Sequence, residues 1–264
     1  NNPANAKYRL LIETWRRLWI WLAEAERELG LAISPVQLRA LEGACGAIDF
    51  EKAAAYEAKF RHDVMAHVHA YGDAAPEARG VIHLGATSCY VTDNADALLV
   101  REALRLVAKG LAEAIAALEA FAKRHAATAC LAYTHFQPAQ PTTMGKRATL
   151  WLHDLVDDLK EVERAITRVP FLGSKGTTGT QASFLTLFGG DAAKVEALDR
   201  LVATKAGFAA PVTVSGQTYS RKADYQVLAV LGGVAVSAAR FGNDVRLLSG
   251  HAEVSEPFES GQIG

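Results

Sequence analysis

The residue types best suited to proton transfer meet in Tyr133-Thr134-His135-Phe136-Gln137-Pro138-Ala139-Gln140-Pro141-Thr142-Thr143. Pro138 and Pro141 each lack an N–H and bias the preceding residue toward extended backbone, so the stretch is not helical. This puts His135 on a stiff connector just before a helix start, with Thr142 or Thr143 as the cap. The free N–H groups at such a helix end carry partial positive charge. A titratable imidazole beside an anion-friendly helix end suits acid–base chemistry on an anionic ligand. The plain alternative is a loop histidine satisfied by a backbone carbonyl.

Other polar groups sit at similar junctions. In Arg61-His62-Asp63 successive helical residues would point about 100° apart. The three side chains converge only if Arg61 and His62 lie on a turn and Asp63 caps a helix over 64–71. The alternative is a solvated Arg/Asp pair beside an idle histidine. Residues 80–86, including His83, read as an extended connector, and Thr87-Ser88 opens a long helix. Gly173-Ser174-Lys175-Gly176-Thr177-Thr178-Gly179-Thr180-Gln181 invites a phosphate-loop reading. Its order is wrong, because the Walker pattern needs its lysine after a glycine at the helix start, so nucleoside-triphosphate hydrolysis is rejected. The loop could still cradle a carboxylate or phosphate through backbone N–H groups. Gly216-Gln217-Thr218-Tyr219-Ser220 precedes another long helix.

The elements that position these residues are helical by apolar spacing. Tyr8, Leu11, Ile12, Trp15, Leu18, Trp19 and Leu22 recur every three or four residues, and Gly30 ends that helix. Ser34-Pro35 gives a cap and a first-turn proline for a short helix. Asp49 starts another, through about Phe60. Leu104, Val107, Leu111, Ile115, Leu118 and Phe121 form the seam of a helix from Thr87 to about His125, interrupted by Gly110 alone. A second long helix spans about Thr142–Val169, with Met144, Ala148, Trp151, Leu155, Leu159, Val162 and Ile166 on its seam. His153, Asp157, Lys160, Glu161 and Arg164 form its wet face. Asp191 caps a helix to Ala206, and residues 211–214 read as extended. A third long helix ends near Leu248, along Leu228, Leu231, Val234, Ala238, Phe241 and Val245. Long helices with sustained seams form bundles, often between subunits. The fold class is all-α, with a smaller helical N-terminal domain over 1–86 and a long-helix bundle domain over 87–264.

Half of the 264 residues are hydrophobic and 22% are charged, ordinary values for a globular chain. A formal net charge of -1 gives no bulk electrostatic case for nucleic acid or anionic membrane. Cys45, Cys89 and Cys130 are sparse and without paired spacing, which argues for a reducing compartment and against a disulfide framework or a zinc site. No apolar run reads as long enough to span a bilayer, and Asn1-Asn2-Pro3-Ala4-Asn5 shows no signal peptide. A cytoplasmic protein is the expectation.

Five ordered segments together resemble one family: Arg61-His62-Asp63-Val64-Met65-Ala66-His67, His83-Leu84-Gly85-Ala86-Thr87-Ser88-Cys89-Tyr90-Val91, Tyr133–Gln140, Lys175–Phe184 and Ser215-Gly216-Gln217-Thr218-Tyr219. The chain is similar to the adenylosuccinate lyases of the fumarase/aspartase superfamily from about Trp15 to Gly264, and most so to the animal type. The resemblance implies a long-helix bundle assembled as a homotetramer, with active sites shared between subunits and neither metal nor organic cofactor. It implies β-elimination of fumarate from adenylosuccinate, giving AMP, and from the succinylated carboxamide ribotide of purine biosynthesis. By position, His135 resembles the general acid that protonates the departing nitrogen. Arg61, His62, Asp63, Thr87, Ser88 and Gln217 resemble substrate contacts; His83 lies in a matching motif without an assigned role. Elimination needs a base beside a carboxylate and an acid for the leaving amine, and donors to hold the charge that develops.

The family pattern departs at the ends. After Gln262-Ile263-Gly264 it continues with a mobile loop whose first serine is the catalytic base. The C-terminal domain and the extreme N-terminal contacts also lie outside these residues. The chain therefore reads as part of an enzyme. Two other readings stand beside it: another fumarate-releasing lyase of the superfamily, of argininosuccinate, aspartate, malate or carboxymuconate type, and a non-catalytic helical scaffold derived from one.

Overall fold

A computed structural model of the chain describes residues 3–255, 257 and 259–263, with backbone alone for residues 3–5. The readings that rest on Asn1-Asn2 and on the junction at Gly264 fall outside the described residues. In order the elements are α1 (Pro3–Glu28), α2 (Pro35–Ala44), α3 (Phe50–Phe60), α4 (Asp63–Ala74), α5 (Cys89–Arg124), β1 (Ala129–Thr134), β2 (Gln137–Thr143), α6 (Met144–Arg168), α7 (Ala182–Leu187), α8 (Ala192–Lys205) and α9 (Lys222–Gly250). The fold is helical, with one two-stranded hairpin among the described residues.

Local chemistry sets the boundaries. Ser34 forms a full capping box with Gln37, and Pro35 occupies the first turn of α2. Asp49 and Asp191 accept the third backbone N–H of α3 and α8. Gly30 leaves α1 at φ +100°, a backbone that side chains other than glycine resist. The extended connector read over 80–86 is instead a run of hydrogen-bonded turns, with Val81 N–H on Ala78 O and Ala86 N–H on His83 O. Residues 211–214 form no strand.

Two compact units divide the chain: Asn1–Glu102 with Val169–Ala223, and Ala103–Arg168 with Asp224–Gly264. The first is cored by Ile12, Leu18, Trp19, Leu22, Leu41, Tyr71, Tyr90, Phe171 and Leu198. Two buried arginines knit it. Arg16 donates to Ala44 O (2.6 Å) and Ala47 O (3.0 Å) and lies over the Tyr71 ring. It thereby adds donors to the carbonyls at and just past the end of α2, where intrahelical partners run out. Arg101 does the same for α8, donating to Ala206 O and Gly207 O with its guanidinium 3.8 Å from the Phe208 ring centre.

The second unit packs Ala122, Ala148, Trp151 and Leu248 against Leu118, Phe121, Val245 and Val254. The small seam residues matter here: a Cβ on Gly145 would stand 2.5 Å from Ala122 O, so α6 reaches the end of α5 only with glycine there. The Trp151 indole donates to Asp244 at 2.9 Å. His153, Asp157, Lys160, Glu161 and Arg164 are exposed, as the seam requires. On α9, Leu248 alone is buried. By length and composition this helix is apolar enough to cross a membrane, which corrects the reading that no run qualifies. Its apolar residues also follow the helical spacing of a packing seam.

Candidate active site

In the first unit the polar junctions are held by specific local geometry. α3 ends in Arg61, which takes a left-handed conformation (φ 53°) while its N–H bonds Glu57 O at 2.7 Å. The chain then reverses. His62 is extended and caps α4: its Nδ1 accepts the Met65 N–H at 3.4 Å. Asp63 is the first helical residue, accepting the Val64 N–H at 2.7 Å and standing 3.5 Å from His62 Nδ1. The cap therefore falls one residue earlier than the sequence suggests. The imidazole reaches the third N–H, and a carboxylate in the first turn is favoured by the helix dipole. All three side chains are exposed.

The turn that leads into α5 carries His83, Thr87 and Ser88. His83 has a positive φ of 63°. Its ring accepts the Trp19 indole N–H at Nδ1, 2.9 Å away, with the two rings at 88°. Burial, and secondarily the His62 imidazole, pulls its pKa down to about 4. Gly85, at φ +68°, is fitted against α7, where a Cβ would come within 2.6 Å of Leu187 and 2.9 Å of Phe184. Ser183 donates to Gly85 O at 2.7 Å. Thr87 is buried, and the Ser88 carbonyl accepts the Thr92 N–H of α5.

Gln217, 130 residues further on, donates from Nε2 to Thr87 Oγ1 at 3.0 Å. The fold thus joins two of the residues singled out from the sequence. Asp93 makes this possible and was missed there. It is buried on α5, accepts the Tyr219 N–H at 2.8 Å and pairs with Arg221 at 3.1 Å, which fastens the 215–221 segment to the start of α5. A carboxylate five residues after Ser88 looks like surface charge until the distant segment arrives.

The glycine–threonine loop is braced, not open. The Lys175 ammonium is buried on the Asp199 carboxylate, which also accepts the Ser174 N–H at 2.7 Å. Gly176 N–H bonds Thr180 O at 2.7 Å, and Gly179 N–H bonds Gly176 O at 3.1 Å. These N–H groups are already satisfied, which removes them as an anion cradle.

His135 belongs to the second unit. β1 and β2 pair antiparallel, Thr134 opposite Gln137, so His135-Phe136 is a two-residue loop. Both residues have positive φ, 53° and 59°, the signature of the primed turn that suits strand twist. Pro138 and Pro141 are tolerated because each strand of a two-stranded sheet has one open side, where alternate N–H groups make no ladder bond. This corrects the connector reading. Seven strand residues, roughly 20 Å of chain, lie between His135 and the start of α6. Thr143 is the cap, accepting the Lys146 N–H at 3.1 Å. The imidazole is exposed at the hairpin tip, not beside that helix end. Under the hairpin lies a cavity of about 260 Å³ lined by Tyr133, Phe136, Lys146, Arg147, Asp244 and His251 among others. Arg147 braces it through Leu131 O and Glu253, and Tyr133 stacks on His251.

Among the described residues no group of three or more His, Cys, Asp or Glu is placed to hold a metal ion. The arrangement offers an exposed imidazole in one unit. In the other it offers hydroxyl, amide, guanidinium and imidazole donors suited to oxyanions.

A family of lyases matches residues 52–264, and the chain belongs to that family. Within it, the chain is similar to the adenylosuccinate lyase of Schizosaccharomyces pombe, 51% identical over 96% of this chain and 53% of the relative. It is also similar to the adenylosuccinate lyase of Saccharomyces cerevisiae, 50% identical over 99% of this chain and 55% of the relative. Among solved structures it resembles the 3-carboxy-cis,cis-muconate lactonizing enzyme from Pseudomonas putida, with a TM-score of 0.78 and 26% identity over 90% of this chain and 53% of that one. The chain spans about half the length of the curated relatives it matches.

Proposed function

We propose that the protein is an adenylosuccinate lyase, a C–N lyase that splits adenylosuccinate into AMP and fumarate and releases fumarate from the succinylated carboxamide ribotide. The observation that carries this is identity of 50% or more to two curated adenylosuccinate lyases across almost the whole chain. The Thr87–Gln217 contact supports it, since both residues were singled out as substrate contacts and lie within one hydrogen bond.

In the elimination a base removes a proton from the carbon beside a carboxylate and the C–N bond breaks. The electron pair left by the proton forms the double bond of fumarate. His135 is the proposed acid that protonates the leaving nitrogen; its unhindered position at a two-residue turn lets it enter a site completed by other segments. Arg61, His62, Asp63, Thr87, Ser88 and Gln217 are proposed to hold the phosphate and carboxylate oxygens. In the family the proton-abstracting base belongs to the segment that follows Gly264. The active form is proposed to be a cytoplasmic homotetramer with sites shared between subunits, with no metal or organic cofactor and no nucleic-acid or membrane partner. The division into 1–86 and 87–264 is kept as our proposal for the domains.

A substrate panel tests the reading, with fumarate release followed by ultraviolet absorbance. Adenylosuccinate and the carboxamide ribotide should be turned over well above argininosuccinate, aspartate, malate or a carboxymuconate. Preference for one of the non-nucleotide compounds would overturn it, and no turnover of any would favour the scaffold.

A further inference from the structure

We propose that Trp19 is a positioning residue, whose indole N–H holds His83 in the one tautomer that presents an Nε2–H donor to the ligand of the Thr87–Gln217 site. The inference rests on reading that cluster as the ligand site.

The geometry supplies the argument. An indole nitrogen can only donate. Trp19 Nε1 stands 2.9 Å from His83 Nδ1, so Nδ1 must be the acceptor and the ring proton must sit on Nε2. Protonating Nδ1 would set two donors face to face, so the cationic ring loses this bond. Burial disfavours the charged form as well, and His62, on the cap of α4, is the titratable neighbour that adds to the effect. Trp19 is itself fully buried, set at 71° to Trp15 and packed on Tyr71, so the donor is fixed. His83 Nε2 has no hydrogen-bond partner among the described residues and is not sealed from solvent. The residue also holds a left-handed backbone, uncommon outside glycine, at the start of the 83–86 turn that runs directly into Thr87. A strained, half-buried imidazole with one nitrogen locked from behind and the other left open is arranged to donate to an acceptor atom. It is not arranged to carry protons.

Nitrogen-15 NMR of the histidine side chains in the whole protein tests this directly. His83 should show a protonated Nε2 and a bare Nδ1 from about pH 5 to 8. Trp19→Phe keeps a ring in the same packing but removes the donor. It should yield mixed tautomers, move the His83 titration up toward that of an ordinary histidine, and raise KM roughly ten-fold with a smaller change in kcat. A proton on Nδ1 of the wild-type residue, or titration near that of free histidine, overturns the proposal. So does a Trp19→Phe protein with unchanged tautomer and KM. The wild-type spectrum decides even if the variant fails to fold. It needs no substrate, so its outcome is separate from that of the substrate panel.

Discussion

Glu26 shows what one buried side chain does to the pH profile of stability. Both of its carboxylate oxygens are buried with no hydrogen-bond partner among the described residues, and burial pushes its pKa up to about 9. The folded chain therefore keeps a proton that the unfolded chain releases near pH 4.5. Stability from this group is full below about pH 4.5, falls as pH rises toward 9, and is flat beyond. At pH 7 the cost is roughly 3 kcal/mol. Glu26→Gln should remove it: in urea unfolding the variant gains on wild type between pH 5 and pH 8, and parallel curves would contradict the buried proton. At the hairpin tip, His135→Asn is the sharper test of chemistry, because asparagine accepts the left-handed backbone that alanine resists. Turnover should fall by about two or more orders of magnitude with an unchanged circular dichroism spectrum. Full activity would remove His135 from the mechanism.

At the scale of elements, the loop over 173–181 and the segment before α9 act as one clamp. A Cβ on Gly179 would stand 1.9 Å from Ser215 O and 3.0 Å from Gly216 Cα, in a backbone already at φ +81°. Gly179→Ala must push Ser215-Gly216 away and carry Gln217 with it, off Thr87. We expect a loss of about 2–4 kcal/mol and a raised KM for adenylosuccinate, the proposed substrate. A variant with wild-type Tm and KM would show the two loops to be independent. The hairpin teaches the complementary lesson. The prolines announced non-helical backbone, but a primed turn is usually announced by Asn-Gly or Asp-Gly, and His135-Phe136 carries neither signal.

For the whole molecule, α9 poses the main question. Leu228 (65%), Val236 (70%) and Tyr225 (69%) are exposed on a helix whose sequence spells a packing seam. An apolar face of this kind needs a partner in water. The proposed tetramer supplies one, and light scattering on the whole protein should return the mass of four chains. Leu228→Lys combined with Val236→Lys should shift that mass to smaller species and abolish activity, if sites are shared. A monomeric, active wild type would refute the assembly.

The long helices, their caps and their punctuation were legible in the residues alone, because apolar period, Ser34-Pro35, Asp49, Asp191 and Gly30 act within a few positions of themselves. So was the polar character of the junctions at 61–63, 87–88, 133–143 and 215–220. What the residues could not reveal was partnership across the chain. Asp93 reaching Tyr219 and Arg221, Gln217 reaching Thr87, Trp19 fixing His83 and Lys175 neutralised on Asp199 join residues 24 to 130 positions apart. Local spacing carries no information about such pairs. A hydrogen bond depends on which backbones packing brings within about 3 Å, and only the folded chain settles that.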